Sequence, residues 1–226
     1  MPQYGWHINI DNCIACRACE AACKQEYRLP AGVRRRFVVV QEGTGPSGKP
    51  YRRHISMACN HCATPACIAA CPVKRYWKDD SSNAALRTAF GMSANPETGL
   101  VLIKPTKAED PVNGVDCLGC KRCISACPYG APQFDETTRT TDKCTGCYQR
   151  LFAPGNTGLP PGHDKPACVV TCAALALHFD DMANITPGVT YGVANKTTGA
   201  PADAKEIADP ALTNPSVRFA PQTNIT

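Results

Sequence analysis

A chain of 226 residues with a formal net charge of +5 is long enough for one ordinary domain or two small ones. No run of Lys and Arg is interleaved with aromatic residues, which excludes the usual nucleic-acid surface. No stretch approaches the roughly 18 consecutive apolar residues that span a bilayer, and residues 1–11 lack the regions of a signal peptide. We therefore expect no nucleic-acid partner, no direct membrane span and no export signal of its own.

Cysteine is the most informative residue type. Sixteen cysteines fall into four groups of four, and each group ends in a pair spaced four residues apart. The groups are Cys13, Cys16, Cys19 and Cys23; Cys59, Cys62, Cys67 and Cys71; Cys117, Cys120, Cys123 and Cys127; and Cys144, Cys147, Cys168 and Cys172. Four thiolates complete one cubane cluster, so the sequence predicts four [4Fe–4S] clusters. With these bound, the net charge would be about −3.

Two other uses of cysteine compete with this interpretation. Disulfide bonds are disfavoured because Cys-x-x-Cys spacing recurs in every group and the chain is too long for a small secreted scaffold. Zinc is a stronger alternative for the fourth group taken alone, in which twenty residues separate Cys147 from Cys168. Beside three groups of the ferredoxin type, the iron–sulfur interpretation is favoured for this group too.

Short elements are predicted around the cysteines. In chain order they are a strand over residues 4–10, helices over 18–27 and 66–70, a strand over 100–104, a helical stretch over 167–177 and a strand over 175–179. Surface loops are predicted over residues 29–53, 77–97, 105–114 and 152–165. The densest basic stretch, residues 34–36, is predicted to be a solvated loop edge, and His61 an exposed loop-tip residue.

The repeated ligand loop predicts the fold class. It is α+β, with two ferredoxin-like domains of the bacterial two-[4Fe–4S] type related by an internal repeat, long loops and an extended C-terminal tail. In that type the fourth cysteine of a group ligates the neighbouring cluster, so the groups must be paired. Spacing alone leaves adjacent and nested pairing open. Pro72 and Pro128 follow groups two and three, whereas Lys24 and Ala173 follow groups one and four, which favours nesting.

Nested pairing predicts four ligand sets. They are Cys13, Cys16, Cys19 and Cys172 for cluster 1; Cys23, Cys144, Cys147 and Cys168 for cluster 2; Cys59, Cys62, Cys67 and Cys127 for cluster 3; and Cys71, Cys117, Cys120 and Cys123 for cluster 4. The first domain would combine residues 1–30 with 140–184 and hold clusters 1 and 2. The second would span residues 54–135 and hold clusters 3 and 4. Residues 185–226 would form an extended tail that contacts a partner or is partly disordered.

A family resemblance is carried by the motifs CIACRACEAAC, CNHCATPACIAACP, CLGCKRCISACPYGAPQF, KCTGCYQR and PACVVTC. Across residues 4–180 the chain resembles the four-cluster iron–sulfur (beta) subunit of the molybdopterin oxidoreductase family, with a pattern most similar to the iron–sulfur subunit of dimethyl sulfoxide reductases. The resemblance excludes the tail, and residues 76–114 are longer than that pattern.

The resemblance implies a non-catalytic electron-transfer subunit of an anaerobic respiratory complex. Its partners would be a molybdenum or tungsten bis-pterin catalytic subunit, near cluster 1, and a membrane quinone-reactive subunit or other carrier, near cluster 4. Electrons would pass through the clusters in the order 1, 2, 3, 4. No catalytic triad, phosphate loop or acid–base pair is visible in the sequence, in line with a non-catalytic role.

Two other functions remain open at this point: an electron-transfer subunit of a hydrogenase or related dehydrogenase complex, and a zinc-stabilised interaction module. We expect a soluble subunit of a membrane-associated complex. It would reach the periplasm by export together with a signal-bearing partner, or otherwise stay in the cytoplasm.

Overall fold

The structure is a computed structural model that describes residues 2–45, 47–152, 164–185 and 212–219. The strands are β1 (Tyr4–Ile8), β2 (Arg36–Thr44), β3 (Pro50–Ala58), β4 (Tyr76–Lys78), β5 (Val101–Ile103), β6 (Gln133–Asp135), β7 (Thr140–Asp142), β8 (Leu177–Asp181) and β9 (Val217–Phe219). The helices are α1 (Ala18–Tyr27), α2 (Ala66–Ala70), α3 (Ala84–Ala89), α4 (Arg122–Ala126), α5 (Tyr148–Leu151) and α6 (Ala167–Val170), with a 3-10 turn at Ser81–Asn83. These short helices and small sheets fit the predicted α+β class.

A three-stranded sheet joins the two ends of the described chain. Its order is β8-β1-β9, with β8 antiparallel and β9 parallel to the central strand β1. Trp6, Ile8, Leu177, Val217 and Phe219 are buried in it and belong to one apolar core. Residues 212–219 therefore pack on the chain's own sheet, unlike the partner-contacting or partly disordered tail expected there. The rest of that expectation, residues 186–211 and 220–226, lies outside the described residues.

A long β-hairpin replaces the surface loop predicted over residues 29–53, and that prediction was wrong. Strands β2 and β3 pair antiparallel from Arg36 opposite Ala58 to Thr44 opposite Pro50. The β-branched run of residues 38–40 favours a strand, and Gly48, at a φ of +76°, lies in the turn. The hairpin places Val38, Ile55 and Met57 in the same core as the first sheet.

Residues 77–97, predicted to be a surface loop, contain more helix and strand than expected. They contain part of β4, the 3-10 turn and α3, and β4 pairs antiparallel with β5. Trp77, Met92, Leu100 and Tyr148 are buried together in a second apolar core. The segment is therefore a packed part of the fold. Residues 105–114 contain turns without helix or strand, as predicted, and most of the loop predicted over residues 152–165 lies outside the described residues.

The predicted helices are confirmed with one change in length. Helices α1 and α2 have the predicted bounds, whereas α6 ends at Val170, well short of residue 177. The chain turns there, with Leu175 in the left-handed region at a φ of +51°, before β8 begins. The longest helix in the described ranges, α1, has ten residues, and no helix among them has the length and apolar character to cross a membrane.

Candidate metal centres

All sixteen cysteines lie in the described residues, and all are free thiols. Nine of them are buried, five are partly exposed, and only Cys16 and Cys120 are exposed. Buried free thiols occur both in apolar cores and in metal sites, where the metal takes the place of the proton, so their grouping distinguishes the two. The structure therefore contains no disulfide bond among these sixteen cysteines.

Three groups of four cysteines each line a separate small cavity. The first cavity is lined by Cys13, Cys16, Cys19 and Cys172; the second by Cys59, Cys62, Cys67 and Cys127; and the third by Cys71, Cys117, Cys120 and Cys123. Each cavity thus takes three cysteines from one loop and the last cysteine of another. These groups coincide with the sets predicted for clusters 1, 3 and 4.

The four remaining cysteines also lie near one another. Burial raises the pKa of the Cys23 thiol, and the neighbouring sulfurs of Cys144, Cys168 and Cys147 raise it further. Cys144, Cys147 and Cys168 are buried as well. This group coincides with the set predicted for cluster 2.

Helix packing explains how the last cysteine of each loop reaches another group. Helix α1, which carries Cys19 and Cys23, packs against α6, which carries Cys168. Helix α2 packs in the same way against α4, and Cys71 and Cys127 directly follow these two helices. Groups one and four are therefore neighbours, and so are groups two and three.

Several ligand loops are held in an unusual backbone conformation. Left-handed φ values occur inside them at Ala15 (58°), Arg17 (56°), His61 (42°) and Lys121 (57°). Such residues cost backbone energy and persist where the surrounding structure requires them. They also turn successive amide N–H groups toward a concave site, which favours bound negative charge.

Backbone amides donate to several of the sulfurs. Four of these donors are Gly119 to Cys117 (3.4 Å), Gly146 to Cys144 (3.3 Å), Arg75 to Cys71 (3.3 Å) and Ala176 to Cys172 (3.3 Å). Hydrogen bonds of this kind stabilise a thiolate and tune the potential of a cluster bound to it.

The thiol pKa values show how costly a buried, unbound thiolate would be. Burial raises the pKa of Cys62 to about 11 and those of Cys67 and Cys168 to about 12. Cys117 differs, because hydrogen bonds from Gly119 and Thr141, with a nearby Arg75, outweigh the effect of burial and lower its pKa. Metal binding must therefore displace protons at most of the buried sites.

Arg36 and Lys143 are buried cations near the cysteines that were not predicted from the sequence. Arg36, expected at a solvated loop edge, is only 2% exposed, and Lys143 is fully buried. Burial by itself lowers the pKa of Arg36, but the sulfurs of the surrounding cysteines outweigh it and raise that pKa. The one available signal was the position of Lys143 directly before Cys144. For Arg36 there was none, because its sulfur neighbours lie on other segments.

His61 was also predicted wrongly. It is fully buried instead of exposed at a loop tip, and its Nδ1 accepts a hydrogen bond from the Val101 amide at 3.0 Å. Burial and the positive charges of Lys143, Lys78 and Arg36 lower its pKa well below the usual value. His61 is therefore a neutral residue of the second ligand loop that packs against β5.

The residues fit iron–sulfur clusters. Each group offers four soft thiolate donors, amide N–H groups point at sulfur, and the exchange of a cysteine between paired loops is typical of the bacterial two-cluster arrangement. Four cysteines leave no free coordination position for a substrate, so the sites suit electron transfer better than bond chemistry.

Comparison with known proteins agrees with this chemistry. Residues 50–182 match the model of a 4Fe-4S dicluster domain, and residues 10–28 match that of a 4Fe-4S binding domain. The chain is 34% identical to the B chain of anaerobic dimethyl sulfoxide reductase from Escherichia coli (strain K12), over 78% of this chain and 73% of that one. It is 30% identical to the Haemophilus influenzae protein of the same name, over 94% and 88% of the two chains.

A third relative has a different name. The B chain of polysulfide reductase from Wolinella succinogenes is 30% identical over 89% of this chain and 88% of that one. The expected resemblance is thus confirmed, including the [4Fe–4S] cofactor type. The chain belongs to the 4Fe-4S dicluster family of iron–sulfur electron-transfer subunits that includes these reductase subunits.

Proposed function

We propose that the chain carries four [4Fe–4S] clusters and relays single electrons between a molybdenum or tungsten bis-pterin catalytic subunit and a membrane quinone-reactive subunit or other carrier. The grouping of sixteen free cysteines into four sets of four is the observation that supports this most directly. The names of the relatives, which are B chains of dimethyl sulfoxide and polysulfide reductases, support the type of partner.

The ligands proposed for each cluster are the sets in which the cysteines lie together. They are Cys13, Cys16, Cys19 and Cys172 for cluster 1; Cys23, Cys144, Cys147 and Cys168 for cluster 2; Cys59, Cys62, Cys67 and Cys127 for cluster 3; and Cys71, Cys117, Cys120 and Cys123 for cluster 4. When bound, each cluster supplies one-electron redox chemistry.

The same contacts support a nested, two-domain arrangement. The packing of α1 on α6 and the pairing of β1 with β8 join residues 1–30 to 140–184. The packing of α2 on α4 and the pairing of β4 with β5 join the two cysteine groups within residues 54–135. Each proposed domain would then resemble one bacterial two-cluster ferredoxin.

The side chains between the sites support the order 1, 2, 3, 4. Cys19 of site 1 and Cys168 of site 2 both interact with Arg36, and Cys59 of site 3 is close enough to Cys144 of site 2 to raise the pKa of that thiol. The Tyr76 hydroxyl donates to Cys123 of site 4 at 3.5 Å. Its pKa is raised by burial and, less strongly, by Cys123 and by Cys67 of site 3. Neighbouring sites thus share contacts along the whole series.

The two end sites are the more open ones. Cys16 of site 1 and Cys120 of site 4 are exposed, whereas all four cysteines of site 2 are buried. Ile14 lies beside Cys13 and is 67% exposed, and Leu118 lies beside Cys117 and is 66% exposed. Exposed apolar side chains at the end sites suit protein partners that bring a donor or acceptor close, with the catalytic subunit proposed at site 1 and the membrane subunit at site 4.

Export together with a signal-bearing catalytic partner is the location we propose, with the cytoplasm as the alternative. Fractionation of cells into periplasm, cytoplasm and membrane, with and without the partner's signal peptide, distinguishes them. Cofractionation with the periplasmic membrane face only when that signal is intact supports export.

Anaerobic purification of the complex tests the main proposal. We expect about sixteen iron and sixteen sulfide atoms per chain, as four cubane clusters require, together with a pterin metal in the large subunit and paramagnetic signals on reduction. A colourless, zinc-loaded protein would refute it. Iron anomalous scattering from crystals of the complex tests the ligand sets, since adjacent pairing would put Cys71, and not Cys172, on the iron held by Cys13.

A further inference from the structure

Arg36 is a buried cation at the junction of sites 1 and 2. It begins β2, and its guanidinium lies 4.0 Å from the centre of the Trp6 ring. One terminal nitrogen donates to the carbonyl of Ser56 at 3.2 Å and to its hydroxyl at 3.1 Å. That hydroxyl is 3.3 Å from the sulfur of Cys19. The other terminal nitrogen is buried and has no hydrogen-bond partner among the described residues.

Lys143 holds the corresponding position between sites 2 and 3. It is fully buried and lines the cavity that contains Cys59 and Cys67. Its ammonium donates to the carbonyl of Val101 and, at 3.0 Å, to that of Cys144, a cysteine of site 2. The backbone therefore fixes this charge next to sulfurs of both sites.

Neither cation is neutralised by a carboxylate of the described residues. Within the part of the chain that the structure describes, no Asp or Glu forms an ion pair with Arg36 or Lys143. A buried charge without a counter-charge is strongly unfavourable, so a negative group must compensate for each. The groups that surround them are cysteine sulfurs: those of Cys19, Cys23, Cys144 and Cys168 around Arg36, and those of Cys67 and Cys144 near Lys143.

We propose that Arg36 and Lys143 are positioning residues that hold fixed positive charge at two of the three junctions of the electron path, 1–2 and 2–3, and raise the reduction potentials of the flanking clusters. A cubane cluster with four thiolates is an anion whose charge becomes more negative on reduction, so a nearby cation favours the reduced form. In a buried site this effect is weakly screened. Site 2 lies beside both cations and is affected by both.

The exposed cations of the ligand loops are less suited to this role. Arg17, Lys121 and Arg122 lie next to cysteines but are exposed to solvent, which screens their charge. Arg34, two residues before Arg36, has a side chain that is 51% exposed and lies 3.8 Å from Glu20. It provides a matched control, because replacing it removes an arginine from the same segment without removing a buried charge.

Redox titration of the assembled complex, followed by electron paramagnetic resonance, tests this inference, which rests on the proposed four-cluster function. Arg36→Gln should lower the reduction potentials of two clusters. For each of them, the ratio of reduced to oxidised cluster at a fixed potential should fall about tenfold, which corresponds to 59 mV for one electron. Lys143→Gln should also lower the reduction potentials of two clusters, and one cluster should respond to both substitutions. Arg36→Lys should keep the potentials near those of the wild type, and Arg34→Gln should leave the potentials of all four clusters unchanged.

Two results would overturn the inference while leaving the proposed function intact. One is unchanged potentials in loaded Arg36→Gln and Lys143→Gln complexes. The other is an equal fall in potential in the Arg36→Lys and Arg36→Gln complexes, which would show that the shape of the arginine side chain matters and its charge does not. If a neutral variant loses its iron, Arg36→Lys or Lys143→Arg must restore it, and failure to do so also overturns the inference. A wild-type complex without four clusters would instead refute the proposed function.

Discussion

Asp79 and Arg87 form a buried ion pair within the segment that joins β4 to β5. Their side chains are 0% and 7% exposed. Asp79 also accepts hydrogen bonds from the Thr98 hydroxyl (2.5 Å) and amide (3.2 Å), while Arg87 donates to the carbonyls of Met92 (2.9 Å) and Asn95 (2.5 Å). One pair of charges thus holds together a stretch that the sequence pattern predicted as a loop.

Replacing Arg87 should strongly destabilise this segment. Arg87→Leu leaves the Asp79 carboxylate buried without its partner, and the expected cost in the free energy of unfolding is about 3–5 kcal/mol. Thermal unfolding of the loaded complex measures it. The double variant Asp79→Asn with Arg87→Leu should recover part of the loss. The exposed pair Arg52–Glu42 is the control, and Arg52→Leu should cost at most about 1 kcal/mol. Equal losses in both single variants would contradict the prediction.

Truncation of the Phe219 side chain should destabilise the first sheet. The ring is fully buried in β9, and Phe→Ala in such a position costs about 3–5 kcal/mol. Leu212, in the same described segment, is 67% exposed, so Leu212→Ala should change stability by no more than about 0.5 kcal/mol. Thermal unfolding compares the two variants. If both behave alike, the packing of residues 212–219 on β1 is wrong.

Removal of one proposed ligand should alter one cluster and leave the other three. Cys172→Ser takes a sulfur from the cavity lined by Cys13, Cys16 and Cys19, and we expect iron loss at that site alone, with a three-iron signal in the oxidised protein. Iron analysis and paramagnetic resonance measure this. Thr171→Ser, at the preceding position, is the control and should retain full iron content. Loss of two signals together would show that Cys172 supports more than one site.

Acid should weaken the first sheet through His7. Burial, assisted by the charges of His178 and Arg218, lowers the pKa of His7 below its usual value. The neutral form of His7 is therefore favoured in the folded protein. Its contribution to stability is complete above the usual histidine pKa of about 6.5, and it is lost as the pH falls from there through the lowered pKa of the folded protein. His7→Gln should lose less thermal stability than the wild type between pH 7.5 and 5.5. His54→Gln, on the β2–β3 hairpin, should follow the wild type, and a steeper loss in His7→Gln would contradict this sign.

Local sequence signals predicted some elements well. The bounds of α1 and α2 followed from alanine-rich stretches between cysteines, where the helical preference and the ligand spacing agree. The β2–β3 hairpin was missed because the apolar run of residues 37–40 is short and is flanked by Arg, Gly and Pro, which are typical of a loop. Its register depends on packing against the first sheet, which no local pattern encodes.

The candidate site was also predicted only in part from the sequence. The four cysteine groups were visible because a cubane needs four thiolates at close spacing. The burial of Arg36 was not, because the sulfurs around it come from α1, α6 and the loop before α5. A basic residue in a basic stretch is normally solvated, and only non-local negative charge reverses that preference.

The position of β9 beside β1 determines when the N-terminal region can mature. Among the described strands, β1 comes before all others in the chain and lies between β8 and β9, which come after all others, so this sheet stays incomplete until residue 219 has been translated. All eight cysteines proposed for clusters 3 and 4 lie between residues 59 and 127 and are available much earlier. Iron can therefore be delivered to residues 59–127 before the first sheet closes. A polypeptide that terminates before residue 219 would leave the thiols that follow β1 unprotected, and it would be open to degradation.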